Sequence, residues 1–373
     1  MQTTHRAYFQ SSTNMQPIAE ASVELVLTSP PYPMIEMWDE GFSTRNAAID
    51  NALIRGKGLL AFKLMHADLD PVWAEAYRIL KPGGFACINI GDAARTIGDD
   101  FMLYPNHARI LSGLMELGFT PLPVVLWRKQ TNAPNKFMGS GMYPAGAYVT
   151  LEHEYILIVR KGGKREFPSD EEKRRRRESA IFWEERNAWY SDVWMELKGA
   201  RQDLRKKETR SRSGAFPFEL VYRLISMFSV KGDTVVDPFL GTGTTLRAAA
   251  AAGRNSIGFE IETGLRSDIL SDLPGLIHYA NGRIQARIDE HLAFVNQCRE
   301  TGREMKHLNR NYQFPVVTRQ ETELLLDIPN DVSPIERDGF QVTYSDDPCR
   351  ILIPPCSFST TRHPETSGQL SLF

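Results

Sequence analysis

Short apolar runs, each ending in small or polar residues, recur along this chain with helical periodicities between them, and that alternation restricts the fold more than any other feature. Val23 to Leu27 reads as a buried strand and Phe85 to Ile90 (FACINI) as another. Val124 to Trp127, Tyr155 to Val159 (YILIV), Thr234 to Val236 and Ser256 to Phe259 continue the series. Between them, Leu69 to Leu80 (LDPVWAEAYRIL), a stretch near His107 to Leu117, Phe218 to Phe228 and the alanine-rich Thr244 to Ala252 repeat apolar residues at helical spacing. Strands that are apolar on both faces and separated by helices predict an α/β fold, a doubly wound, mostly parallel sheet. Residues 33 to 60 mix polarities and Gln130 to Gly146 is rich in Gly, Pro and Asn, so both read as loops. Residues 280 to 310 look helical and charged, and 314 to 356 look like short strands and turns.

The 373 residues suit one large enzyme domain with an appendage or two. With 42% hydrophobic and 24% charged residues, no run of eighteen apolar residues and no apolar core in MQTTHRAYFQSS, the expectation is a cytoplasmic protein with no membrane partner. Cys87, Cys298, Cys349 and Cys356 lack the spacing of a zinc site or redox pair, so reduced thiols and no metal are expected.

In parallel sheets ligands sit beyond the carboxyl ends of the strands. Two strand exits stand out. One is TVVDPFLGTGTTLRAAAAAG, residues 234 to 253, in which Asp237-Pro238-Phe239 leads into Gly241-Thr242-Gly243-Thr244 and a helix. No Lys follows the last glycine, so it is not a phosphate loop of the Walker type, and the third glycine of the dinucleotide fingerprint is missing. A carboxylate at the strand tip, a small-residue loop and a helix start are what it offers. About twenty residues on, Ile257-Gly258-Phe259-Glu260 ends in an acid able to accept both hydroxyls of a ribose. Together these read as a nucleoside-cofactor site. The other exit is LVLTSPPY, where an apolar strand runs into Thr28, Ser29, Pro30, Pro31 and Tyr32.

Net charge is only −2, yet the span from Arg160 to Arg212 holds 17 Lys/Arg against 11 Asp/Glu. Its clusters are Lys173 to Arg177, with Arg174, Arg175, Arg176 and Arg177, and Arg201 to Arg212, with Arg205, Lys206 and Lys207. Interleaved aromatics (Phe182, Trp183, Trp189, Tyr190, Trp194) suit a surface that grips phosphates and faces bases. A solvated helix face laced with Glu/Arg pairs is the competing reading of EEKRRRRE, and both stay open. Asp92 after the FACINIG strand reads as a helix or turn cap or a pocket residue, and His153-Glu154 as a strand start.

LVLTSPPY together with DPFLGTGTT resembles the amino-methyltransferases of DNA, whose catalytic motif is (D/N/S)PP(Y/F/W) and whose cofactor motif is DPFxGxGTT. The catalytic motif comes first, with the basic region between the two, as in the circularly permuted beta class. The resemblance implies a Rossmann-like methyltransferase sheet with an inserted target-recognition region and a C-terminal extension. Its expected segments are a catalytic half at 1–160, a recognition region at 161–212, a cofactor half at 213–272 and an extension at 273–373. It implies S-adenosylmethionine as cofactor, contacted by Thr28, Asp237, Pro238, Phe239, Gly241, Gly243, Thr244 and Glu260. Catalysis falls to Ser29, Pro30, Pro31 and Tyr32: acceptors on Ser29 and Pro30 draw out the amine lone pair, the prolines stiffen the turn, and Tyr32 supports an extruded base. Arg174 to Arg177, Arg205, Lys206 and Lys207 are the implied DNA contacts. Duplex DNA is the implied substrate, a restriction endonuclease acting on the same site a possible partner, and the state a monomer or homodimer. Ser at the first motif position usually accompanies cytosine N4 methylation, so Ser29 points to cytosine. Adenine N6 methylation and a non-catalytic nucleic-acid-binding protein on the same scaffold are the alternatives.

Overall fold

Strands buried on both faces at the centre of one sheet set the layers of the molecule. A computed structural model describes residues 1–129, 138–139, 141–197, 217–271, 273–336 and 338–348. The chain runs through β1 (Gln2–Tyr8) and β2 (Val23–Thr28), then α1 (Asp39–Arg45), α2 (Ala47–Ile54) and α3 (Gly58–Ile79), and returns as β3 (Leu80–Ile90). The hairpin β4 (Ala93–Ile97) and β5 (Asp100–Tyr104) leads to α4 (Asn106–Glu116), β6 (Phe119–Pro121), β7 (Val125–Arg128), the ladder β8 (Met138–Gly139) with β9 (Ala147–Tyr148), and β10 (His153–Lys161). Next come α5 (Asp170–Glu178), α6 (Trp183–Trp189), β11 (Val193–Trp194), α7 (Phe218–Phe228), β12 (Thr234–Asp237), α8 (Thr244–Ala251), β13 (Asn255–Phe259), α9 (Arg266–Leu270) and α10 (Leu273–Glu300). Finally there are β14 (His307–Leu308), β15 (Pro315–Val316), β16 (Pro329–Ile335) and β17 (Gly339–Tyr344).

The main sheet has the order β11-β7-β10-β3-β2-β12-β13-β1-β17-β16, with β6 also on β10. Its centre, β3-β2-β12-β13-β1, is parallel throughout. All six residues of β2 are buried. Val26 joins the core built from α1 to α4, with Phe42, Ile49, Met65, Trp73 and Leu114. Leu25 and Leu27 join the opposite core, with Trp189, Tyr222, Leu224 and Ala248 from α6, α7 and α8. Helices on both faces explain why β2 is buried along its whole length. The registers Thr28 with Ile88, Asp237 with Gly258 and Tyr8 with Phe259 bring the carboxyl ends of the five parallel strands to one edge.

Three segments differ from the sequence expectation. Residues 33 to 60 contain α1, α2 and the first turn of α3; Phe42, Ile49 and Ala52 give these short helices just enough buried surface, and Asn46 caps α2 by accepting from Ala48 N. Helix α3 starts at Gly58 instead of Leu69 and continues through Pro71. Strand β1, unread in the sequence, alternates buried Thr3, His5 and Ala7 with less buried neighbours. Its polar interior residues are bonded in place: His5 Nδ1 lies 2.7 Å from Ser256 Oγ, and Thr3 Oγ1 lies 2.9 Å from Tyr344 Oη.

The residues after 272 do not stand apart from the sheet. Strand β17 pairs antiparallel with β1, and α10 buries Ile284, Ile288 and Val295. Arg287 of α10 reaches Glu185 of α6 through two contacts of 2.5 and 2.6 Å and donates to Tyr222 Oη, a buried ion pair whose polar atoms are well partnered. Among the described residues no helix is long and apolar enough to cross a membrane, and no cluster of His, Cys, Asp or Glu could hold a metal ion.

Candidate active site at the carboxyl edge of the sheet

Strand β12 ends in Asp237, which is 1% exposed. Its carboxylate accepts from Thr28 Oγ1 at 2.6 Å, from Thr245 Oγ1 at 2.5 Å and from Phe239 N at 3.0 Å. Burial pushes its pKa up to about 6 although these donors act the other way. Asp237 therefore ties the end of β2, the start of α8 and the loop between them. Thr28 spends its hydroxyl proton on that tie, while Phe239, after Pro238, packs edge-on against Trp73 at 6.2 Å. Gly243, at φ 85°, occupies the left-handed region as the N-cap of α8, with Thr244 the first helical residue. A Cβ at Gly241 would meet nothing within 4 Å, so the loop borders open space. Glu260, just past β13, accepts from Gly241 N and Glu262 N, both at 2.8 Å. Each carboxylate oxygen keeps a second lone pair. Burial is the main cause of the upward shift of its pKa.

Beside this loop, β2 delivers Ser29-Pro30-Pro31-Tyr32 alongside the end of β3. Tyr32 donates its phenol proton to Glu154 Oε2 at 2.9 Å, and its oxygen lies 3.0 Å from Ser29 Oγ. Asn89 of β3 donates to Tyr32 Oη at 2.8 Å and to Glu154 Oε2 at 2.7 Å. Lys129 Nζ holds the other oxygen of Glu154 at 2.8 Å. Burial, then the charge of Glu154, holds the Tyr32 phenol well above its ordinary pKa, so it stays protonated at neutral pH. The ring edge lies against Gly91. Asn106, fully buried, braces the turn from behind: its amide donates to the carbonyls of Pro33 at 3.0 Å and Gly91 at 2.9 Å, and its oxygen faces His66 Nε2 at 3.0 Å. Asp92 satisfies the first turn of α4 from outside the helix, accepting from His107 N at 3.1 Å and engaging its ring at 2.7 Å, while Pro105 holds the N-cap position.

Two strand exits 209 residues apart in the chain thus meet at the carboxyl edge of the sheet, joined by the Thr28 to Asp237 hydrogen bond. Sequence reading did not identify Asn89, Lys129, Asn106 or the part Glu154 plays. One signal was available: Asn89 and Glu154 are polar residues in otherwise apolar strand runs, and a buried polar group at a strand end needs partners.

The basic residues fall elsewhere. Arg174 pairs with Glu171 and Glu178, Arg175 with Glu171, and Arg177 with Glu323, while Arg176 stacks over Phe167. Helix α5 adjoins Gly232 and Lys231, which precede the first residue of β12, so it lies at the amino edge, opposite the pocket. Arg205, Lys206 and Lys207 lie outside the described residues.

A family model for DNA methylases of the N6/N4 type matches residues 23–270. The Type II methyltransferase M.MthZI of Methanothermobacter thermautotrophicus is 49% identical over 347 residues, which span 93% of this chain and 96% of its own. The Type II methyltransferase M.MjaI of Methanocaldococcus jannaschii is 49% identical over 276 residues, 71% of this chain and 89% of its own. Among solved structures, a DNA modification methylase from Thermus thermophilus, crystallised with S-adenosyl-L-methionine, matches with a TM-score of 0.53 and 31% identity, covering 72% of this chain and 97% of that one.

Proposed function

The chain belongs to the N6/N4 family of DNA methylases and is a Type II DNA methyltransferase; from that premise we propose that it methylates the exocyclic N4 of a cytosine turned out of duplex DNA. S-adenosyl-L-methionine is the cofactor. The open space at Gly241 and the remaining lone pairs of Glu260 fit a nucleoside, with Glu260 holding the ribose hydroxyls and the Asp237 tie keeping the loop in shape. When bound, the cofactor supplies an electrophilic methyl group on a sulfonium.

The protein's task is then to expose the lone pair of an amine delocalised into its ring. Ser29 Oγ and the Pro30 carbonyl are the proposed acceptors for the two amino hydrogens, held in a turn that two fixed φ angles make rigid. A base within a duplex cannot reach groups held among the strand ends, so the target has to swing out, with Tyr32 as its support. Ser29 at the first position of the catalytic motif is the observation that carries the choice of cytosine. A nuclease cleaving the same sequence is the proposed partner.

Tritiated methyl transfer to duplex DNA, followed by nucleoside analysis, tests the base assignment. Label in N4-methylcytosine is expected; label in N6-methyladenine overturns the assignment. A second expectation concerns α5, whose arginines already serve intramolecular carboxylates and an aromatic ring at the far edge. Arg176→Ala with Arg177→Ala should change duplex affinity by less than about twofold and leave the salt dependence of binding unchanged. A salt slope lower by about 2 would instead put both arginines on phosphates.

A further inference from the structure

The hydrogen bonds around Tyr32 have a direction. An ionised carboxylate only accepts, so at Glu154 Oε2 both the Tyr32 phenol and the Asn89 amide must donate. With its own proton committed to Glu154, the Tyr32 oxygen can only accept from Ser29 Oγ, 3.0 Å away. Ser29 is therefore a donor toward the interior; Asn89 Nδ2 approaches its oxygen at 3.5 Å, and the remaining lone pair is left for an entering amine. The result is an ordered chain, Ser29 to Tyr32 to Glu154, that ends on a carboxylate whose side chain is 12% exposed.

Building on the amino-methyl-transfer reading, we propose that Glu154 is the terminal proton acceptor of the reaction, reached from the substrate amine through Ser29 and Tyr32. Forming the nitrogen–carbon bond while the carbon–sulfur bond breaks leaves a positive charge on the amine. Its proton passes to Ser29 Oγ, the Ser29 proton to Tyr32 Oη and the Tyr32 proton to Glu154 Oε2. Ser29 and Tyr32 regain their hydroxyls, Glu154 ends neutral, and the methylated amine is uncharged. Water then takes the proton from Glu154. Ser29 is a neutral residue where other motif variants carry an acid, and the strand β10 residue supplies the missing negative charge from a different part of the chain.

The charged and titratable groups facing Glu154 are Tyr32 on the catalytic turn and Lys129 after β7. Its strand neighbours are His153, itself edge-on to Tyr155, and Glu152, paired with Arg128. Asp92 and His107 form their own pair beside Tyr155, on which the His107 ring stacks at 3.8 Å.

The test measures single-turnover methyl transfer for the wild type, Glu154→Gln, Tyr32→Phe and the double variant, with cofactor and DNA affinities measured alongside. Each single variant should slow transfer about 10²-fold, a typical contribution of a positioned proton acceptor. The double variant should be no slower than either single one. Affinities should stay within twofold. Transfer by Glu154→Gln within threefold of wild type, or losses that multiply in the double variant, would overturn the relay. Tyr32→Phe keeps the ring packing and decides the matter should Glu154→Gln fold poorly. The wild-type product, scored separately, reports on the base assignment, because cytosine and adenine amines would use the same relay.

Discussion

Tyr32→Ala should transfer methyl groups about 10³-fold more slowly than the wild type while binding S-adenosyl-L-methionine with unchanged affinity. Two losses combine. The phenol is the middle link between Ser29 and Glu154, and breaking that link costs about 10²-fold. The ring is the proposed support for the extruded base, and stacking of a base on an aromatic ring contributes about 1–3 kcal/mol, a further factor of about ten or more. Cofactor affinity should not change because Tyr32 bonds to Ser29, Asn89 and Glu154, whereas the cofactor loop is held by Asp237 and Glu260. Single-turnover kinetics and calorimetric titration with the cofactor measure the two quantities. Activity within tenfold of wild type would remove Tyr32 from the chemistry, and a parallel fall in cofactor affinity would show that the two halves of the pocket are not separable.

The second large effect is expected at Asp237. Replacing it by Ala deprives Thr28, Thr245 and the Phe239 amide of their common acceptor, and stranding buried donors costs about 1–3 kcal/mol each. Cofactor affinity should fall at least about tenfold as the loop loses its anchor, and thermal stability should fall with it. Unchanged affinity would show that the loop holds its shape without this carboxylate.

The pH dependence of stability gives an independent readout. Burial raises the pKa of Asp237 from 3.8 to about 6, so between these values the folded state binds the proton more tightly than the unfolded one. The wild type therefore loses stability from this group as pH rises from about 4 to about 6, by about 3 kcal/mol for a shift of about two units in a fully buried side chain. Asp237→Asn carries no such titration. Its stability relative to wild type, measured by denaturant unfolding of the cofactor-free proteins, should improve across that window and level off above it. A difference independent of pH would show that Asp237 titrates normally.

The two strand exits were legible because each motif is local: one strand runs directly into Ser-Pro-Pro-Tyr, and the other into a small-residue turn and a helix within twenty residues. The parallel core was legible for the same reason: the β2 and β12 runs are apolar on both faces, as only a sheet covered on both sides allows. Glu154 was not legible as part of the pocket, since its partners Tyr32 and Asn89 lie 122 and 65 residues away in the chain. Strand β1 escaped because its buried positions include Thr3 and His5, and polar residues satisfied by distant partners erase the apolar alternation that marks a strand. In residues 33 to 60, single buried residues such as Phe42 and Ile49 are enough to seat short helices against a large neighbour, and the surrounding polarity hides them. The charge cluster at Lys173 to Arg177 was legible only in part. Composition registers the arginines, whereas the glutamates that neutralise them include Glu323, far along the chain.

The position of β1 between β13 and β17 has a kinetic consequence. Residues 2–8 acquire both of their neighbours only from residues 255–259 and 339–344, so the sheet closes by contacts of very large sequence separation. Such pairings incur their loop-closure entropy before any contact rewards it, and they slow folding. Until they form, this strand presents open backbone donors and acceptors to any passing chain. The seam between β2 and β12 carries the same cost, since it joins strands 209 residues apart, so pairings of this length close the whole centre of the sheet.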